Sequence, residues 1–159
     1  MDTDLNMESR VDDTIKDQYL TFAIDNEDYG VGISNVKEIV GMDTITKVPE
    51  MPDFVEGIIN LRGELIGVLD VRKRFNIPPK EYDEETCIIV IIADKVEEGL
   101  GKLGFIVDAV RETAIIPEDK ISPPPNARLR SVNQFIRNIG RVGDEIKLLL
   151  DLEKFLAQD

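Results

Sequence analysis

From Tyr19 onward, short apolar runs alternate with polar breaks that carry glycine or proline, a pattern suited to sheet strands rather than long helices. YLTFAI and YGVGI flank the acidic break DNED and predict a β-hairpin. ISNVKEIV reads either as a short helical turn or as the start of another strand, since its β-branched residues disfavour a long helix. Pro49 and Pro52 bracket a connection, because each fixes φ and removes a backbone donor. VEGIINL and LIGVLDV then predict a second hairpin around the tight turn RGE, with VRKRF beginning a short helix that ends before Pro78 and Pro79. The unbroken apolar run TCIIVIIAD predicts a strand buried on both faces, with LGFIVDAV as its partner. ISPPPNARLRSVN, with three consecutive prolines, predicts an extended or irregular stretch. FIRNIGRVGDEIKLLLDLEKFL reads as strand, Gly-Asp turn, strand and short amphipathic helix. Residues 1–17 have no sustained apolar period and predict a flexible acidic tail.

The element list occurs twice, and the residues repeat with it. Gly30 to Glu38 (GVGISNVKE) matches Gly104 to Glu112 (GFIVDAVRE) at a constant offset of 74. Glu64 to Val71 (ELIGVLDV) matches Glu145 to Leu152 (EIKLLLDL) at an offset of 81. Two matches in the same chain order favour duplication over chance likeness between hairpins. The proline- and acid-rich IPPKEYDEE separates the halves, so residues 18–80 predict one small β-barrel and residues 81–159 a second, ending in the C-terminal helix. Units of this size gain from closure because it removes exposed strand edges. The expected architecture is all-β: two five-stranded barrels side by side with a groove between them.

Composition narrows the chemistry. The 159 residues include no histidine and one cysteine, Cys87, which excludes Ser-His-Asp and Cys-His catalysis, His-ligated zinc and an internal disulfide. A net charge of −13 repels phosphate backbones and anionic membrane surfaces. No apolar run reaches the ~20 residues a membrane span needs. A reducing cytoplasm suits this chain. The acid pairs Asp12–Asp13, Glu84–Glu85, Glu97–Glu98 and Glu118–Asp119 fall in breaks or the tail, where solvated charge is the ordinary reading. DNEDYG lacks the terminal glutamate of a calcium loop, and the glycine-dense spots precede strands rather than helices. Cys87, inside an apolar strand, reads as a small hydrophobe. No catalytic, cofactor or metal site emerges, so binding is the expected activity.

One segment stands out, GIINLRGELIGVLDVRKRF. Arg62 occupies a turn where Asn, Asp, Gly or Ser is usual. It reads either as a solvated arginine paired locally with Glu64, or as a guanidinium presented to a partner. Gly57 and Gly63 permit close approach or special backbone angles. Arg72, Lys73 and Arg74 form the densest basic spot, most simply a helix face of mixed charge.

This segment closely resembles the signature of the CheW family of bacterial chemotaxis coupling proteins. YLTFAIDNEDYGVGISNVKEIVG, ITKVPEMPDFVEG, GFIVDAVRE and LLLDLEKFL match the family in order and spacing, so one CheW-like domain is expected over 18–156. Gly67 departs from the family, where many members have proline. The resemblance implies two Src-homology-3-like barrels and a non-enzymatic, cytoplasmic adaptor joining chemoreceptors to the histidine kinase CheA at membrane-associated arrays. It also implies partner-binding roles for Val36, Glu38, Gly57 and Arg62. The receptor's hairpin tip would lie in the groove between barrels, and the regulatory domain of CheA on a barrel end. Neither cofactor nor nucleic acid is implied. Two alternatives are a CheV-type coupler and a carboxylate-dependent hydrolase, the latter requiring two convergent acids.

Overall fold

A computed structural model describes residues 15–124 and 134–157. Most of the expected tail and the segment after the second of the three prolines lie outside the described residues. The fold is mainly β, with two sheets and short helices.

The chain opens with β1 (Gln18–Ile24) and β2 (Glu27–Gly32), paired antiparallel about the turn Asp25–Asn26. Both turn residues have positive φ, 53° and 71°, which matches the right-handed twist of the flanking strands. Both alternatives for ISNVKEIV are realised in sequence: a 3-10 turn at Ile33–Asn35 leads into β3 (Val36–Gly41). The second hairpin is β4 (Val55–Leu61) and β5 (Glu64–Asp70), followed by helix α1 (Val71–Arg74). Asp70 caps α1, its carboxylate accepting the Arg72 N–H at 2.9 Å. β6 (Cys87–Ile92), β7 (Lys102–Val107) and β8 (Ala109–Ile115) repeat the first three strands. After the short β9 (Ile121–Ser122), β10 (Ile136–Val142) and β11 (Glu145–Leu150) form the last hairpin, and α2 (Leu152–Leu156) follows it. Asp151 caps α2 as Asp70 caps α1.

Sheet membership crosses the boundary expected at residues 80 and 81. One sheet has the order β8-β1-β2-β11-β10-β9, the other β3-β6-β7-β5-β4. Each takes its first hairpin from one half and its remaining repeated strands from the other. Each sheet has two joints between halves, one parallel, β2 with β11 and β5 with β7, and one antiparallel, β1 with β8 and β3 with β6. The exchange happens where the chain leaves one sheet for the other, at Ile33–Asn35 and at Asp108. A sequence offset shows that two segments share a shape, but not which strand each one meets.

The two sheets also repeat each other at their edges. The segment following β3 crosses to the far edge of its sheet, where Thr46 and Ile58 exchange backbone hydrogen bonds of 2.9 and 2.8 Å. The segment following β8 does the same through β9, which pairs with Ile139 and Gly140 of β10. Because β9 counts as a strand and Thr46 as a bridge, the sheets have six and five strands.

β6 is buried on both faces, as its apolar run predicts. Ile89 and Ile91 join the large core between the sheets, while Ile88 and Val90 face the interior of the five-stranded sheet. The large core draws Phe22, Tyr29 and Leu150 from one sheet and Leu69, Phe105 and Val107 from the other. Phe75, Phe135 and Phe155 link them, with ring centroids 5.6–5.8 Å apart. The space between the sheets is therefore largely core, which confines any groove to its rim.

Candidate functional site

The β4–β5 hairpin ends in a two-residue turn, with Leu61 paired to Glu64 and both Arg62 and Gly63 left-handed at φ 52° and 89°. Glycine adopts this conformation freely, while arginine there costs on the order of 1 kcal/mol. Asn60 Oδ1 accepts the Gly63 N–H at 2.8 Å and holds the turn. The Arg62 side chain is 68% exposed and donates to the Glu38 carboxylate, itself 27% exposed, across on β3. Glu64, the neighbour expected to pair with Arg62, instead pairs with Lys102 at 3.0 Å. An ion pair this exposed is worth about 1 kcal/mol or less, so it is a poor reason to hold an arginine in a strained turn. Leu65 and Ile39, next in sequence to Glu64 and Glu38, are large apolar side chains left in solvent.

Val36 and Glu38 lie on β3 either side of a bulge, which breaks the register with β6 between them. Val36 packs half-buried against the large core. Gly57 lies five residues back along β4 from Arg62, at a second bulge. Its φ is 147°, and a Cβ there would come within 2.1 Å of the Thr46 carbonyl oxygen. That contact is part of the bridge between Thr46 and Ile58, so Gly57 holds the edge of the sheet by its lack of a side chain. Of the four residues singled out, Glu38 and Arg62 touch, Val36 adjoins Glu38 and Gly57 stands apart.

The basic run is not a solvated face. The Arg72 guanidinium is almost fully buried, donating to Asp108 at 2.6 Å, Asp25 at 3.2 Å and the Pro78 carbonyl at 2.8 Å. Lys73 pairs with Glu56 at 2.6 Å, and this hydrogen bond raises the lysine's pKa. Arg74 lies 4.6 Å from the ring centroids of Phe54 and Phe135 and donates to carbonyls at the end of α2. These contacts follow from folding distant segments together, and nothing in the run itself marks them.

Arg72 seals the crossing of the chain at Asp108. The other crossing, at Ile33–Asn35, opens into a mainly polar cleft, at the base of which lie Val31, Val96, Leu150 and Leu152. Lys95, Arg137, Asp151 and Glu153 stand around it. Val36 directly follows this crossing, so the cleft and the Glu38–Arg62 pair lie at opposite ends of the start of β3.

Among the described residues the acids offer no hydrolytic pair, and Asp12–Asp13 lies outside them. Glu84–Glu85, Glu97–Glu98 and Glu118–Asp119 are exposed. Glu56 and Asp70 are close enough to interact, but Lys73 takes the first and the cap of α1 the second. Burial, with Glu56 adding to it, raises the Asp70 pKa. Burial and the neighbouring Asp70 also push the Tyr82 hydroxyl upward. Cys87 is half-buried, and desolvation raises its thiol pKa, which leaves little thiolate for nucleophilic attack. Among the described residues there is no group of three or more metal-ligating side chains, and no helix is long and apolar enough to cross a membrane.

Strands exchanged between repeated halves define a duplicated, mainly β protein, with an exposed guanidinium at the tip of the β4–β5 hairpin. The CheW-like domain model matches residues 18–159, and the chain belongs to this family of chemotaxis scaffold proteins. It is 31% identical to chemotaxis protein CheW of Klebsiella aerogenes over 147 residues, covering 92% of this chain and 86% of that one. It is 32% identical to chemotaxis protein CheW of Treponema pallidum over 143 residues, covering 88% and 82%. The crystal structure of the scaffolding protein TtCheW from Thermoanaerobacter tengcongensis superposes with a TM-score of 0.76 at 34% identity, covering 91% of this chain and 94% of that one. Chemotaxis protein CheV3 of Helicobacter pylori matches at 30% identity over 130 residues, 80% of this chain but 40% of that protein.

Proposed function

We propose that this protein is a non-enzymatic cytoplasmic adaptor that couples chemoreceptors to the histidine kinase CheA in membrane-associated arrays. The observation that carries the reading is Arg62, held left-handed and exposed at a hairpin tip inside a CheW-like domain, where folding alone would favour glycine. A guanidinium so placed offers charge-assisted hydrogen bonds, and the exposed Leu65 and Ile39 of the same sheet offer apolar contact. The receptor's helical hairpin tip fits the cleft at Ile33–Asn35, because its lining comes from both halves and the equivalent crossing is closed by Arg72. The regulatory domain of CheA then engages the β4–β5 end, with Val36, Glu38 and Arg62 running between the two partners. An adaptor of this kind transmits a signal only by binding one state of its partners more tightly than another.

A pull-down with CheA and a chemoreceptor cytoplasmic fragment tests the reading. This protein should retain both together, and failure to retain either would overturn it. The match to CheV3 favours a CheV-type coupler as the second reading; the mass of the endogenous protein decides between them, since this chain spans less than half of CheV3.

A further inference from the structure

The duplication makes the two crossings counterparts, and their charges are reversed. At offset 74, Asp108 stands where Ser34 stands; at offset 81, Arg72 corresponds to Glu153 and Glu56 to Arg137. Glu56 and Arg137 are also the skipped residues of equivalent bulges in β4 and β10. The turn of the first hairpin contributes Asp25 at one crossing, and the turn region of its repeat contributes Lys95 at the other, donating to the Ser34 carbonyl at 2.7 Å.

The sealed crossing satisfies itself, since a cation from the helix meets carboxylates from the hairpin turn and the crossing residue. In the open crossing the helix supplies an acid, Glu153, while the hairpin turn and the bulge supply cations, Lys95 and Arg137. Yet none of the ion pairs among the described residues includes Lys95, Arg137 or Glu153. Two cations therefore border a mainly polar cleft without an ion-pair partner among the described residues, in a protein whose net charge is −13; Asp151, which also lines the cleft, is engaged in capping α2.

We propose that Lys95 and Arg137 are specificity-determining residues that receive a carboxylate of the partner helix lying in this cleft. The inference rests on the reading of the cleft as the receptor's place and adds what chemistry that partner must carry there. The partner's acid stands in for Asp25 and Asp108, and Arg137 plays the part that Arg72 plays in the sealed crossing. Glu153, across the cleft, repels a second carboxylate and so restricts where along the helix the acid can lie.

The test uses the full chain, a chemoreceptor cytoplasmic fragment and CheA, with binding measured from low to high salt. The double variant Lys95→Glu with Arg137→Glu should weaken receptor-fragment binding about five- to tenfold at low salt and flatten its salt dependence, because charges at an interface rim act through steering and screening. Arg137→Lys should keep most of the affinity, and binding to CheA should stay unchanged in both, which separates the effect from misfolding. If the unaltered protein binds the fragment and the reversed variant binds it equally well at every salt concentration, the carboxylate assignment falls while the adaptor reading stands. If the unaltered protein fails to bind the fragment, the adaptor reading falls and takes this inference with it.

Discussion

The interiors of the two sheets occupy equivalent places in a duplicated fold, yet they are filled differently. Inside the five-stranded sheet, Ile59, Ile66, Val68, Ile88, Val90 and Ile106 form an aliphatic cluster. Inside the six-stranded sheet the buried cluster is Ala114, Ile116 and Leu149. At offset 81, Ile59 becomes Gly140 and Ile66 becomes Lys147. Lys147 is as buried as the isoleucine it corresponds to, with 1% of its surface exposed, and pairs with Asp28 at 2.7 Å and Glu145 at 2.8 Å. Burial works against its charge, but hydrogen bonds to both acids outweigh that and raise its pKa. A fold can thus be repeated while its core is not, provided that a polar replacement reaches partners at the rim.

Substitution at these two positions gives the largest expected difference. Ile66→Ala should cost about 3–4 kcal/mol, the transfer of the lost carbons plus the cavity they leave. Lys147→Met should change stability by no more than about 1 kcal/mol, because the volume is kept and the abandoned acids, 28% and 67% exposed, remain solvated. Urea unfolding at neutral pH measures both. A loss for Lys147→Met equal to that for Ile66→Ala would mean that the charge network is as necessary to its sheet as the aliphatic cluster is to the other.

A smaller effect separates the two helix caps. Asp70 is 3% exposed and Asp151 half-buried, although both cap a helix after the last strand of their half. Because the folded pKa of Asp70 is raised, the folded state holds its proton more tightly than the unfolded chain does. Its contribution to stability is therefore present at low pH and lost as pH rises from the ordinary carboxylate range through the raised folded value. Asp70→Asn keeps a good capping group and removes this titration. The variant should gain on the unaltered protein as pH rises through that window, by less than the Ile66→Ala loss. Denaturant unfolding from pH 3 to 7 would show it, and parallel curves would place the pH dependence elsewhere.

These contrasts also mark what could be read from the chain before folding. The hairpins, both short helices and the two-faced burial of β6 follow from local apolar period, and the duplication from register. The exchange of strands between sheets does not, because it depends on pairings such as Val68 with Gly104 that no local pattern encodes. Arg72 looked solvated because its acids lie 36 and 47 residues away in sequence. The burial of Lys147 has no local signal either, because the alternation in EIKLLL is that of any half-buried strand. Glu38 and Arg62 were visible as residues but not as a pair, being 24 positions apart. Lys95 and Arg137 gave no motif at all. Their signal was the charge reversal against the other half, which becomes legible only when the two crossings are known to be counterparts.

The least change in stability is expected at the two hairpin tips, and it bears most directly on the adaptor role. Arg62 at φ 52° corresponds to Gly143 at φ 60°, so Arg62→Gly gives the β4–β5 hairpin the tip residue of the β10–β11 hairpin. Glycine removes the left-handed strain, adds chain entropy to the unfolded state and deletes a surface ion pair; these are each about 1 kcal/mol or less and of mixed sign. The net change should stay within about 0.5 kcal/mol. Joint retention of CheA and receptor fragment should nevertheless fall, since the turn survives and only the guanidinium is gone. If the variant retains both partners as well as the unaltered protein does, the partners do not read the guanidinium, and the exposed Leu65 and Ile39 become the contacts to test.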